Sequence, residues 1–304
     1  MKVRRNLLIA LSLLSLSANA QRIKGSDTVL PVAQQTAERF MNQHPDARVT
    51  VTGGGTGVGI SALMDNTTDI AMASRPIKFS EKMKTKEAGQ EVDEVIVAYD
   101  ALAVVVHPSN PVKQLTRQQL EDIFRGKITN WKVVGGKDRK IQAFQRPAES
   151  GSQNLMDKLV MKGKKMADAP RDYVVSEMGE LLEEVSSYDD TGDALGYSVY
   201  YYARNMYQKP ELTFMAVDGV MPSSETIRSK SYPFVNDFYA GIRADTPKDS
   251  KAYELFEWLT GEDGQSLING LGYVGIGDGA KELPGNLLAP DEDFTAAIPL
   301  PEGH

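Results

Sequence analysis

The 304 residues are enough for two lobes with cores of their own, and 41% hydrophobic with 25% charged residues is a folded, not a disordered, composition. A formal charge of −7 argues against nucleic acid or an anionic membrane as partner. With no cysteine, the chain has no disulfide, no thiol-ligated metal, no cysteine nucleophile and no lipid anchor on an N-terminal cysteine.

Residues 1–20 read as a secretory signal. MKVRR is basic, LLIALSLLSL is apolar but too short to span a bilayer, and SANA ends in a small-x-small pattern before Gln21. The other reading is a buried helix. Cleavage after Ala20 would remove Lys2, Arg4 and Arg5 and take the formal charge from −7 to −10. The mature protein is expected to be periplasmic or secreted.

RIK at 22–24 reads as a strand, GSDT as a loop and VLPVAQQTAERFMNQH as a helix. Val32, Ala33, Ala37, Phe40 and Met41 share one helical face, Pro31 suits the first turn, and Asp27 or Thr28 suits the cap. ARVTVT, GGGTGVG and ISALM repeat the strand–loop–helix design at 47–64. DIAMA at 69–73 is a short strand that delivers Ser74 and Arg75, and EKMKTKEAGQE reads as an exposed helical segment. KIQAF, QRPAESGS and QNLMDKLVM form the third such unit, with Ser150 or Ser152 as cap.

Three of these loops place hydroxyls and free backbone N–H groups at a helix start, where unpaired donors and partial positive charge favour anions. Any one loop taken alone reads first as plain helix capping. Converged, they would offer donors from Ser26, Thr28, Thr56, Gly57, Ser74, Ser150, Gly151 and Ser152, and charge from Arg75 and Arg146. The glycine loop is no nucleotide P-loop. Gly54 and Gly59 have the Walker A spacing, but Ile60 stands where the lysine belongs. No glycine set fits G-x-G-x-x-G either, so a small free oxyanion suits the loop better.

GSDTVLPVAQQTAERF, VTGGGTGVGISALMDNTTDIAMASRPI and QRPAESGSQNLM, in this order, resemble the phosphate-binding proteins that feed phosphate ABC transporters. LTRQQLEDIFRGKITNWKVVGG, ALGYSVYYYARN and YPFVNDFYAGI are similar to that family too, so the resemblance spans about 22–276. KELPGNLLAPDEDFTAAIPLPEGH matches nothing in it and reads as a loosely ordered tail, about 280–304. The resemblance implies an α/β, type II periplasmic-binding-protein fold, with two α/β lobes joined by two crossing strands near 105–108 and 231–234. Lobe one would be 21–107 plus 233–304 and lobe two 108–232, closing around the ligand. It implies inorganic phosphate as ligand, a membrane ABC permease as partner, a monomer, and neither cofactor nor metal.

By the family pattern, Thr28 and Val29 face the anion through hydroxyl and backbone, with Thr56 and Gly57 beside them. Arg146, Ser150, Gly151 and Ser152 come from the other lobe, in matching R-x-x-x-S-G-S spacing. This chain departs from the best-known members at Ser74, where they carry an aspartate that accepts the proton of phosphate and so rejects sulfate. Members with Ser-Arg at this point also bind phosphate. The proton acceptor here is then sought in Asp27 or Glu149, although Asp27 reads first as a helix cap and Glu149 as a solvated loop charge.

Enzyme chemistry finds little in the sequence. His44, His107 and His304 belong to no H-E-x-x-H pattern, there is no G-x-S-x-G, and the DD at 189–190 reads as a solvated loop. No catalytic residue is assigned. The alternatives are a binding protein for another oxyanion such as sulfate, a phosphate-responsive adhesion or signalling protein on the same fold, and, last, a secreted phosphohydrolase. YSVYYYARNMY at 197–207 reads as a strand passing into a helix, and Trp131 and Trp258 as packing residues.

Overall fold

The computed structural model describes residues 20–87, 89–148, 150–187, 193–207 and 209–277. The leader, Glu149, the aspartates at 189–190 and the tail lie outside the described residues. The elements in chain order are β1 (Gln21–Gly25), α1 (Leu30–Gln43), β2 (Val49–Thr52), α2 (Thr56–Met64), β3 (Ile70–Ala73), α3 (Phe79–Glu87) and β4 (Val92–Val106). Then come β5 (Gln114–Leu115), α4 (Arg117–Phe124), β6 (Gln142–Ala143), α5 (Gly151–Met156), α6 (Met178–Ser187), β7 (Ala194–Val199), β8 (Thr213–Phe214) and β9 (Ala216–Val217). α7 (Ser224–Arg228), β10 (Val235–Arg243), α8 (Lys251–Thr260), α9 (Glu262–Gly270) and β11 (Val274–Gly275) complete the order.

Local chemistry accounts for the first helix. Pro31 occupies the opening turn, and Val32, Ala33, Thr36, Ala37 and Phe40 form the buried face. Thr36 takes the place expected of Met41, because its hydroxyl donates to Val32 O at 2.8 Å and so can be buried without an orphaned polar group. The expected cap does not form. Val29 is the N-cap residue and no side chain caps the helix, so Asp27 and Thr28 stay outside it.

The main sheet runs β2-β1-β3-β10-β4-β7-β6, with β1, β2 and β3 parallel and β10 antiparallel to both neighbours. β4 holds the two halves together. Up to Ala101 it pairs with β10, and from Leu102 to Val106 it pairs with β7. The return path lies alongside: Leu102 N donates to Phe234 O at 2.9 Å, and the buried Tyr232 hydroxyl donates to Leu102 O at 3.0 Å. Each half has its own core. Val32, Phe40, Phe238 and Leu255 belong to one, and Phe124, Trp131, Met156 and Tyr197 to the other. The expected pair of α/β lobes is therefore what forms.

At the partner exchange stands Asp100, only 3% exposed. Its carboxylate accepts from Ala101 N at 2.8 Å and from Tyr201 N at 3.1 Å, beside a Tyr201–Tyr273 stack with ring centroids 3.8 Å apart. Burial pushes its carboxyl up to about 7, against those backbone bonds. Between about pH 4 and 7 the folded state thus keeps a proton that the unfolded chain has lost. The stability contribution of Asp100 therefore falls as pH rises through that window, by up to about 4 kcal/mol. Asp100→Asn keeps an acceptor oxygen without the charge. Its melting temperature is expected to overtake that of the parent progressively from pH 4.5 to 7.5. A difference that does not change with pH would refute this assignment.

Candidate functional site

The first wall of the cleft begins where β1 ends. A Cβ added at Gly25 would lie 1.8 Å from Met72 O, so only glycine lets β1 approach β3 this closely. The next residue, Ser26, is buried and donates its N–H to Met72 O at 2.9 Å. Asp27, freed from capping, accepts the Gly54 N–H at 2.9 Å and ties the first loop to the glycine loop.

The glycines of GGGTGVG have separate tasks. Gly54 and Gly55 adopt φ of 112° and 98°, which side chains disfavour. Gly53 and Gly59 leave room for Asp27 and for the backbone of β1, where added Cβ atoms would come within 2.2 Å and 2.5 Å. Gly55 donates to Gly25 O at 2.9 Å and is the N-cap residue of α2, which no side chain caps. The first N–H groups of α2 therefore start beside those of the first loop.

The Thr56 hydroxyl accepts Ser74 N at 3.1 Å and meets Ser74 Oγ at 3.3 Å. Arg75 follows, but its charge is matched. Nη1 and Nη2 form a two-pronged pair with Glu81 at 2.9 and 2.8 Å, and Nη1 also donates to Pro76 O. Bonding to Arg75 holds the Glu81 carboxyl below its ordinary range. Glu81 lies on α3, which reads in the sequence only as an exposed segment.

The second wall is one face of a helix. Ser150 caps α5 by accepting Gln153 N at 3.2 Å, and the helix continues with a wider π turn through Met161. Gly151, Asn154, Leu155 and Lys158 stand at i, i+3, i+4 and i+7 and line the cleft. Gly151 comes close to the opposite lobe, since a Cβ there would lie 3.2 Å from Thr28 Oγ1. Lys158 Nζ donates to Asn236 Oδ1 of β10 at 3.0 Å. Burial lowers the Lys158 pKa, opposed by the charge of Asp237 and reinforced by that of Arg75.

Between the walls lies a cavity of about 440 Å³. It brings together Ser26, Asp27, Thr28, Thr56, Ser74, Arg75 and Gly151 of the expected residues, with Gly55, Asn154, Leu155 and Lys158 in addition. Asn154 and Lys158 are absent from the sequence reading; the helical spacing counted forward from Gly151 is the signal that would have found them. Gly57 faces Arg75 Nη2, with an added Cβ 4.0 Å from it.

Gly57 does not line the cavity, and neither do four other expected residues. Val29 is buried in the core and its N–H is taken by Ser26 O at 3.1 Å. Ser150 acts as the helix cap. The Ser152 hydroxyl is buried without a partner. Arg146 borders a neighbouring cavity of about 660 Å³. Its Nη2 donates to Ser176 O at 2.8 Å, while Nε and Nη1 are buried without partners. Burial lowers the Arg146 pKa, with attraction from Glu177 opposing. The buried Tyr197 hydroxyl accepts Arg146 N at 3.0 Å and donates to Gln153 Oε1, so it fixes the Arg146 loop to α5.

Hydroxyls of the first lobe and the helix start of α5 from the second thus border one small space, with an arginine and a lysine on opposite sides. That donor set suits a small oxyanion.

A model described as the PBP superfamily domain matches residues 15–263. The phosphate-binding protein PstS of Borreliella burgdorferi is 30% identical over 259 residues, covering 84% of this chain and 89% of that protein. That of Bacillus subtilis is 29% identical over 257 residues, covering 84% and 80%. The crystal structure of an ABC-type phosphate transport receptor from Vibrio cholerae superimposes with a TM-score of 0.72 at 30% identity, covering 84% of this chain and 99% of that one. The chain is therefore a member of the PBP superfamily and, within it, of the PstS-like phosphate-binding proteins.

Proposed function

We propose that this protein binds inorganic phosphate between its two lobes, outside the cytoplasm, and delivers it to an ABC permease. The observation that carries the reading is the cleft, where Ser26, Thr28, Thr56 and Ser74 of one lobe meet the α5 start of the other around a single cavity. Micromolar affinity needs about 8 kcal/mol, and charged hydrogen bonds contribute roughly 1.5–3 kcal/mol each. A set of this size covers that, after the costs of closing the lobes and desolvating the anion. The function is binding and release, with no bond broken. We further propose cleavage after Ala20, action as a monomer, and lobes of 21–107 plus 233–304 and 108–232. The bending point is put at the strand exchange beside Ala101–Leu102, a few residues ahead of the first crossing read from the sequence.

Selectivity is assigned to Asp27. It lines the cleft and uses Oδ1 to hold Gly54, which leaves its second oxygen to accept the proton of phosphate. Ser74, where the best-known members carry aspartate, favours a second reading, a site that admits sulfate as well. Isothermal titration of the mature, ligand-free protein at neutral pH distinguishes the two. Phosphate is expected to bind and sulfate not, and Asp27→Asn is expected to narrow the preference at least about tenfold. Equal binding of both anions by the parent would remove Asp27 from this role and leave a general oxyanion site.

A further inference from the structure

We propose that Lys158 is a direct anion contact of the cleft, an ammonium that leaves Asn236 and closes on the bound oxyanion from the second lobe. This rests on the phosphate reading above and adds to it a charged ligand that the R-x-x-x-S-G-S motif does not contain.

Charge balance on the wall is the first argument. The charged residues lining the cavity are Asp27, Arg75 and Lys158. Arg75 is held two-pronged by Glu81, so its charge is already compensated. Without Lys158, the wall would present the net negative charge of Asp27 to an entering anion, in a mature chain of formal charge −10 by removal of Lys2, Arg4 and Arg5 from −7. Lys158 is what balances it.

The state of Lys158 is the second argument. Its one hydrogen bond is to a neutral amide oxygen, Asn236 Oδ1, and among the described residues no carboxylate pairs with it. The nearby Asp237 already accepts from Lys230 Nζ at 2.9 Å and from the Tyr239 hydroxyl at 3.1 Å. An ammonium has three donors, and this one is partly desolvated beside a cavity rimmed with other donors. The protein uses one of these donors, and the exposed side chain lines the cavity, where an anion can take the others.

Position is the third argument. Lys158 stands on the second lobe and faces, across the cavity, Ser26, Thr28, Thr56 and Ser74 of the first. Its bond to Asn236 on β10 reaches the first lobe beside the strand exchange, so an anion bound in the cavity needs only to replace a neutral amide oxygen as the partner of an ammonium already between the lobes.

Titration of phosphate into the parent and into Lys158→Gln tests this. Loss of one charged hydrogen bond is expected to weaken binding about 10- to 100-fold, with a shallower dependence on salt. The melting temperature of the ligand-free variant should stay near that of the parent. Binding within about threefold of the parent would overturn the proposal while leaving phosphate binding intact. A parent that ignores phosphate would overturn both. A second measurement needs no variant: an amine-acylating reagent is applied to the parent with and without phosphate, and the modification at Lys158 is read by mass spectrometry. Protection by phosphate is expected, with no protection at the exposed Lys165; equal labelling of Lys158 in both conditions would refute the contact.

Discussion

Arg146→Ala should abolish tight phosphate binding, weakening it at least about 100-fold, while the ligand-free protein melts no lower than the parent. The two halves of that expectation have one origin. Nε and Nη1 of Arg146 are buried and unpartnered, and burial lowers its pKa. Unpaired buried donors on a cation are costly, so the empty protein gains nothing from them. A ligand that accepts from both would turn the cost into binding energy. The loop is set for this by bonds that the substitution leaves in place, because Arg146 N still donates to the Tyr197 hydroxyl and Ser150 still caps α5. Nη2 would have to give up Ser176 O or keep it while the guanidinium turns toward the cleft. Calorimetric titration and a melting curve read the two halves separately. Unchanged affinity would take Arg146 out of the site. A lower melting temperature with weaker binding would make it a structural residue.

The second large effect belongs to the fold. Gly25→Ala should destabilise by about 3 kcal/mol or more, because overpacking against backbone leaves no rotamer to relieve it. The added Cβ would meet Met72 O at 1.8 Å, Met72 C at 2.8 Å and Met72 N at 2.9 Å, all backbone of β3. Gly25 pairs with Met72 in the parallel ladder, so relief requires separating two inner strands. The same movement would displace Ser26, which donates to Met72 O, and Gly55, which donates to Gly25 O. Phosphate affinity should therefore fall with stability. The check is the denaturant midpoint of the variant against Gly57→Ala, where the nearest atom is Arg75 Nη2 at 4.0 Å and stability should hardly change. Equal midpoints would mean that β1 and β3 tolerate wider spacing than their register indicates.

Much of this protein is legible in its sequence, because local structure is written in contiguous residues. Apolar spacing and Pro31 mark α1, the glycine run marks a turn that side chains could not make, and Ser150 marks the start of α5. Strand–loop–helix repetition alone points to hydroxyls gathered at helix starts. The tertiary structure decided the rest, since it depends on which distant groups meet. Asp27 leaves its helix to hold Gly54, 27 residues on. Arg75 is matched by Glu81, and Lys158 enters the cleft because a helix turn aims it at Asn236, 78 residues away. Asp100 has no place in the sequence reading, and its burial where β4 changes partner is what raises its pKa. Propensity and turn chemistry act within a few residues, whereas desolvation and charge balance are set by the packing of whole lobes, so the sequence determined the pieces of the site and the fold decided their charges.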